Sequence, residues 1–240
     1  MNSSRKPWTE HYKALYILQD KVLEIINKLD VNFYLTGGTA LSRFYLNHRY
    51  SDDLDFVCHK DPYFGDYIQK ITDALIGESF EVRPFGISST FATLHISDIK
   101  GESQTKLHLD FINEKSSPHF GDYFFSETFS KVDNMRNILS NKISILPRQE
   151  PKDVADIWFI CKKLDFKWGE IIDEASRKKL VEEIFLVECL RTFRDERLLN
   201  IKWIRAFDVE GFKTDRDVIL ENIITRSENK LFIKSSSVMD

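Results

Sequence analysis

The sequence predicts an α+β protein, with a mixed sheet and flanking helices followed by a helical C-terminal region. Three observations carry this. Residues 34–57, YLTGGTALSRFYLNHRYSDDLDFV, run as strand, glycine turn, helix and acidic strand. Residues 80–112 have the alternating, β-branched and aromatic texture of strands. From residue 134 onward, apolar residues recur mainly at steps of three and four, the period of helices. The change of texture near residue 133 divides the chain into a core, residues 1–133, and a helical domain, residues 134–240.

Composition bounds the classes open to it. The 240 residues are 42% hydrophobic and 30% charged, an ordinary globular balance. The net charge of −4 argues against a general nucleic-acid coat protein, whose phosphate contacts demand a basic surface, yet leaves room for a local basic groove. No apolar run approaches the ~18 residues of a membrane span, so no membrane partner is expected. The opening MNSSRKPWTEHYK lacks the apolar core of a secretory signal. Cys58, Cys161 and Cys189 are odd in number and far apart, which fits neither a disulfide framework nor a zinc site. Reduced core cysteines in a cytoplasmic protein are the expectation.

The elements follow in order. Residues 1–7 read as a loose end. Residues 8–29 read as a helix with Leu15, Leu18, Val22, Ile25 and Leu29 toward the core. A short strand at residues 33–35 reaches Gly37-Gly38-Thr39, and a helix runs from Ala40 to about Asn47. The second strand is residues 53–57. Residues 62–76 read as a helix, with Tyr63, Tyr67, Ile71 and Leu75 packing inward rather than offering base-stacking rings. Three strand candidates follow, residues 80–85, 90–96 and 105–112. In the third, Leu107, Leu109 and Phe111 share one face, and Lys106, His108 and Asp110 the other. Residues 113–118 read as loop. Phe120, Tyr123, Phe124, Phe125 and Phe129 read as a packed satellite core.

The C-terminal half is helical. Residues 134–146 form one helix, with Ile138, Leu139, Ile143 and Leu146 buried and Lys142 beside that stripe. Pro151 starts another at its favoured first turn. It runs to about Leu164, with Val154, Ile157, Trp158, Cys161 and Leu164 inward and Lys152 paired to Asp156 on the other side. Further helices are expected around Ile171–Leu180, over 181–199 and over 217–224. Arg177-Lys178-Lys179 and Arg191, Arg194 and Arg197 are basic clusters that read as solvated faces or as the lining of an RNA groove. The Ser235–Ser237 tail reads as mobile.

The chemistry concentrates in residues 34–57. Glycine lets a backbone approach a ligand closely and take positive φ, and the free N–H groups of a helix start attract phosphate. Thr39 could cap that helix and offer a hydroxyl. The pattern is neither GxxxxGK[ST] nor GxGxxG, so a plain strand-to-helix turn remains open. Asp53 and Asp55 sharpen the reading. At i and i+2 of a strand they point to one face and repel each other. A hard divalent cation such as Mg²⁺ relieves that repulsion. The bland alternative is a solvated acidic strand end. Asp52, on the opposite parity, reads as a turn residue.

Gly37-Gly38 followed by Arg49-Tyr50-Ser51-Asp52-Asp53-Leu54-Asp55-Phe56 resembles the signature of the DNA polymerase β-type nucleotidyltransferases. More narrowly it is similar to the AbiEii-type abortive-infection toxins, whose pattern is GGTAL…R-x-S-x-DLDF. Lys142…Arg148…Lys152-Asp153…Asp156 is similar to that family's later motif, K…R…[KR]D…D. Read without the resemblance, these residues are a mixed-charge helix face. The resemblance implies a polymerase-β-like core whose cleft the helical domain completes. It implies Asp110 as the third metal-binding acid, on the strand beside the first pair, and Lys142 as a triphosphate contact. Asp153 and Asp156, with Arg148 and Lys152, become structural or catalytic helpers.

The expected chemistry is nucleotidyl transfer from a nucleoside triphosphate. Two Mg²⁺ ions about 3.5–4 Å apart would be held by Asp53, Asp55 and Asp110. Gly37, Gly38 and Thr39 would hold phosphate, Lys142 would neutralise the leaving group, and Arg49 and Ser51 would fix the acidic strand or touch phosphate. The resemblance further implies a toxin held in check by a separate antitoxin, with tRNA the acceptor in some relatives. Two alternatives stand beside it. One is a nucleotidyltransferase acting on a small molecule of the aminoglycoside kind. The other is a nucleotide-binding module without turnover, against which an intact acid triad argues.

Overall fold

Five strands pair into one sheet at the centre of the N-terminal half. The structure is a computed structural model that describes residues 8–98 and 105–232. The expectations for residues 1–7 and for Ser235–Ser237 lie outside these. The described chain divides into two compact units. One comprises residues 8–44, 50–98, 105–115 and 122–133; the other comprises 45–49, 116–121 and 134–232.

In the first unit, helix α1 (Thr9–Asn27) precedes β1 (Tyr34–Thr36), a short helix α2 (Gly37–Leu41) that continues as a π-helical turn to Leu46, and β2 (Leu54–His59). Then come α3 (Phe64–Gly77), β3 (Phe80–Ile87), β4 (Phe91–Asp98) and β5 (Lys106–Glu114). The strand order is β1-β2-β5-β4-β3. Strands β2 and β5 pair in parallel and the other neighbours antiparallel. Leu54, Phe56, Leu94, Ile96, Leu107, Leu109 and Phe111 are buried on one face of this mixed sheet. Phe56 and Phe111 stack there with centroids 5.1 Å apart.

Several packing expectations shift. The buried stripe of α1 is Tyr12, Leu15, Leu18, Gln19, Val22, Leu23 and Ile26, so Ile25 and Leu29 are only half-buried. Gln19 sits in that stripe because its amide donates to the carbonyls of Ser51 and Asp52, each at 3.2 Å, a role apolar periodicity does not register. In α3, Phe64 and Ile68 take the inward positions expected of Tyr63 and Tyr67. The satellite core is not formed as expected. Phe129 is buried, whereas Phe124 and Phe125 are exposed. The chain there makes isolated bridges from Val132 to Leu35 and to Phe124.

The second unit holds α4 (Met135–Ile145), α5 (Pro151–Cys161), α6 (Trp168–Lys178), α7 (Glu183–Thr192) and α8 (Val209–Thr225). The Asn134 side chain caps α4 by accepting from the Asn137 N–H at 2.8 Å. Pro151 opens α5 at its first turn. Trp158, Trp168, Ile171, Leu186 and Phe212 lie in its core. Leu180, in the break between α6 and α7, and Ile184, in the first turn of α7, are exposed. Lys178 is not part of a free basic face. Its ammonium donates to the side-chain carbonyls of Asn137 and Asn141. Among the described residues no helix is long and apolar enough to cross a membrane.

Candidate active site

The first unit places the sequence-predicted acids on the sheet face opposite the apolar core. Residues Asp55 of β2 and Asp110 of β5 are direct partners in the parallel register. Asp55 also faces Thr36, the last residue of β1. The Thr93 hydroxyl donates to the Asp110 carboxylate at 2.6 Å. Asp53 precedes β2 by one residue, is half exposed, and has the His108 Nδ1 3.8 Å from its Oδ1.

The glycine turn closes on these acids. Gly37 has φ of +72°, and a Cβ there would stand 2.2 Å from the Asp55 Oδ2. The absence of a side chain at Gly37 is therefore what allows a carboxylate to sit against the start of α2. Gly38 follows in the first turn and both glycines are partly open. Helix-start N–H groups have no partner within their own helix. Thr39 differs from expectation. The cap position is Thr36, and the Thr39 side chain is buried with its hydroxyl donating to the Asp53 carbonyl. It ties the glycine helix to the acidic strand and presents no hydroxyl to solvent. Ser51 is likewise buried. Its N–H donates to the Tyr16 hydroxyl at 3.2 Å and its carbonyl accepts from Gln19. Asp52 accepts from the Tyr12 hydroxyl.

One contributor escaped sequence reasoning. Asp133 is fully buried; its carboxylate accepts from the Thr36 hydroxyl at 2.5 Å and its N–H donates to the Leu35 carbonyl at 2.8 Å. It fixes the end of β1 that feeds Gly37. It sits in a stretch without periodicity, so nothing in the sequence marked it.

The remaining site candidates belong to the second unit and form a buried ionic cluster. Arg49 grips Asp156 with two parallel bonds, Nε to Oδ1 and Nη2 to Oδ2, both 2.7 Å. His48 Nε2 lies 2.9 Å from the same Oδ1. The Lys142 Nζ reaches Asp153 at 2.6 Å and Asp156 at 2.9 Å. Arg49 is only 1% exposed and Asp156 not at all. The expected Lys152–Asp156 surface pair is thus replaced. Asp156 faces the core, whereas Lys152 and Arg148 are exposed. The competing partner, Arg49, comes from 107 positions away, beyond any local spacing rule. Burial alone would push the Asp156 carboxyl up. The Arg49 and Lys142 charges and the bonds from His48 and Arg49 outweigh it and hold the group well below the usual carboxylate range. Burial pulls the Lys142 amine down, but Asp156 and Asp153 more than reverse this and raise it. For His48 burial prevails and favours the neutral ring.

Asp53, Asp55 and Asp110 offer the hard oxygen donors that a divalent cation of the Mg²⁺ kind requires, and Gly37 leaves a cradle that a Cβ would fill. Among the described residues no three His, Cys, Asp or Glu side chains already form a metal-binding group. The fit therefore rests on donor chemistry and on the Asp55–Asp110 register.

This arrangement, a mixed five-stranded sheet with paired acids beside a glycine turn and a following helical unit, is the polymerase-β-like nucleotidyltransferase fold. The profile of one such family, described as "Nucleotidyl transferase AbiEii toxin, Type IV TA system", matches residues 22–216. The chain belongs to that family. JHP933 from Helicobacter pylori superposes with a TM-score of 0.64 at 19% identity, covering 91% of this chain and 94% of that one. MenT4, a nucleotidyltransferase toxin from Mycobacterium tuberculosis, superposes with a TM-score of 0.57 at 15% identity, covering 92% and 86%. At these identities the likeness is one of fold. No curated protein matches the chain by sequence.

Proposed function

We propose that this nucleotidyltransferase moves a nucleoside monophosphate from a nucleoside triphosphate to an RNA acceptor, tRNA foremost, as the toxin of a pair whose antitoxin is a separate protein. The observation that carries the catalytic part is the contact of Gly37 with the Asp55 carboxylate, which stands in register with Asp110. This proximity supports a reading in which the glycine turn and the acids act as one site.

The protein's own residues would divide the work as follows. Gly37, Gly38 and the first N–H groups of α2 bind the triphosphate and orient its α-phosphorus toward Asp55. Thr39 and Asp133 hold that turn against the acidic strand. Asp53, Asp55 and Asp110 would hold Mg²⁺, which when bound supplies charge neutralisation at the phosphates and acidifies the attacking hydroxyl. Asp110, kept in place by Thr93, would receive the acceptor's proton as the hydroxyl oxygen bonds to the α-phosphorus, the bond between the α- and β-phosphates breaks and pyrophosphate leaves. The cluster of Arg49, Asp156, Lys142 and Asp153 positions its own helices rather than reacting. The cytoplasm suits this chemistry, and the three free thiols, two of them buried, agree with it.

The test is transfer of label. The purified chain is incubated with Mg²⁺, each α-labelled nucleoside triphosphate in turn, and deacylated tRNA, beside Asp53→Ala and Asp55→Ala. Label on tRNA with wild type, absent with both variants and on removal of Mg²⁺, is the expected result. Retained triphosphate binding without labelled RNA would reject the acceptor and turn attention to small amino-sugar acceptors.

A further inference from the structure

The outer face of the sheet carries a row of rings that neither the acids nor the core requires. Strand β3 lies at the sheet edge, and its pairing with β4 shifts between Pro84 and Gly86. Phe85 is thus the extra residue of a β-bulge, a device that re-aims side chains, often beside active sites. Its ring lies parallel to that of His95, with centroids 5.3 Å apart and planes 11° apart. His95 lies in the same way on His108, at 4.3 Å and 13°. His108 in turn stands 3.8 Å from Asp53. The ends of the row are open to solvent, Phe85 at 79% exposure and His108 exposed, with His95 partly covered between them. Phe91 and Ile112, cross-strand partners, are exposed apolar neighbours on that face, and Lys106 adds an exposed ammonium two residues before His108.

The strand order decides which side of the acids this row occupies. The glycine turn leaves β1, the acids stand on β2 and β5, and the row runs from β5 across β4 to β3. Attacking and leaving oxygens lie roughly in line on opposite sides of a transferred phosphorus. With the triphosphate at Gly37, the row lies on the side from which the acceptor hydroxyl arrives.

We infer that the Phe85–His95–His108 column is the acceptor track: the base of an upstream unpaired nucleotide stacks on the open outer face of Phe85, and the following 3′-terminal nucleotides of the RNA lie along the ring edges as their last hydroxyl reaches Asp110. This rests on the RNA-directed nucleotidyl transfer argued above. The open aromatic face of Phe85 receives any base without regard to sequence. From Phe85 to Asp53 the row crosses three inter-strand gaps, ~14 Å, which is about four bases at their ~3.4 Å rise. The competing account is a cross-strand ring ladder that only stabilises the sheet.

The experiment compares two RNA hairpins, one with four unpaired 3′ nucleotides and one with a single unpaired nucleotide. Wild type, Phe85→Ala, His95→Ala and Phe85→Trp are assayed for transfer of an α-labelled monophosphate, with triphosphate binding and thermal unfolding measured in parallel. Wild type and Phe85→Trp should prefer the longer tail. Phe85→Ala and His95→Ala should lose that preference through a KM for the longer tail raised at least fivefold, with triphosphate binding and the unfolding midpoint unchanged. Alanine variants that label both hairpins as wild type does would overturn the track while leaving transfer to RNA intact. Variants that lose stability and triphosphate binding together would reduce the row to a structural ladder. A wild type that labels neither hairpin, yet labels a small amino-sugar in an Asp55-dependent way, would overturn both readings.

Discussion

A single missing side chain sets the geometry of the site. Gly37 combines positive φ with a carboxylate occupying the space of a Cβ, so two separate penalties meet any substitution there. An L-residue in the left-handed region costs about 1–2 kcal/mol, and Asp55 must also move. Gly37→Ala should lower the thermal midpoint modestly and reduce nucleotidyl transfer at least tenfold. Unfolding and label transfer measured on one preparation check this, and full activity with a displaced midpoint would reject the contact as functional. Thr39 teaches the complementary lesson. Its hydroxyl was expected to be available to phosphate, and tertiary contact with the Asp53 carbonyl claims it instead.

Among the elements, α4 and α5 owe their mutual placement to charge as well as to packing. The carboxylate of Asp156 satisfies Arg49, His48 and Lys142 together. Removing one partner of a buried ion pair leaves the others uncompensated and costs about 3–5 kcal/mol. Asp156→Ala should therefore destabilise by that amount in denaturant titration, and Lys152→Ala, on the exposed side of the same helix, by well under 1 kcal/mol. Equal effects from the two would restore the reading of a solvated charged face. Strand elements were easier to read than this helix pair. The two-residue parity of β5 put Leu107, Leu109 and Phe111 inside and Asp110 outside, as found. The bulge at Phe85 was not legible, because an extra residue in one strand shows only once its partner is in place.

For the molecule as a whole, the same cluster sets the pH range of stability. His48 is held neutral by burial, so below the ordinary histidine value, about 6.5, the unfolded chain gains a proton that the folded chain refuses. Asp156 is held ionised, so a second loss begins as pH falls below about 4 and the unfolded carboxylate protonates first. Lys142 is raised, so its contribution persists up to about pH 10.4 and is lost above. Thermal midpoints should fall from pH 7.5 to 5, and His48→Gln should flatten that slope. An unchanged slope would remove His48 from the account. The amino-acid sequence alone determined the α+β class, the family, the acid pair and its glycine turn, because strand parity and a strand–turn–helix pattern are local, short-range facts. Only the tertiary structure decided that Asp133 anchors the turn, that Arg49 and Lys142 are committed to buried carboxylates, and that a bulge sets Phe85 on a pair of rings, His95 and His108, the last of which stands beside Asp53. Those outcomes depend on residues distant in the chain competing for the same polar atom or the same patch of surface, and no spacing rule carries that competition.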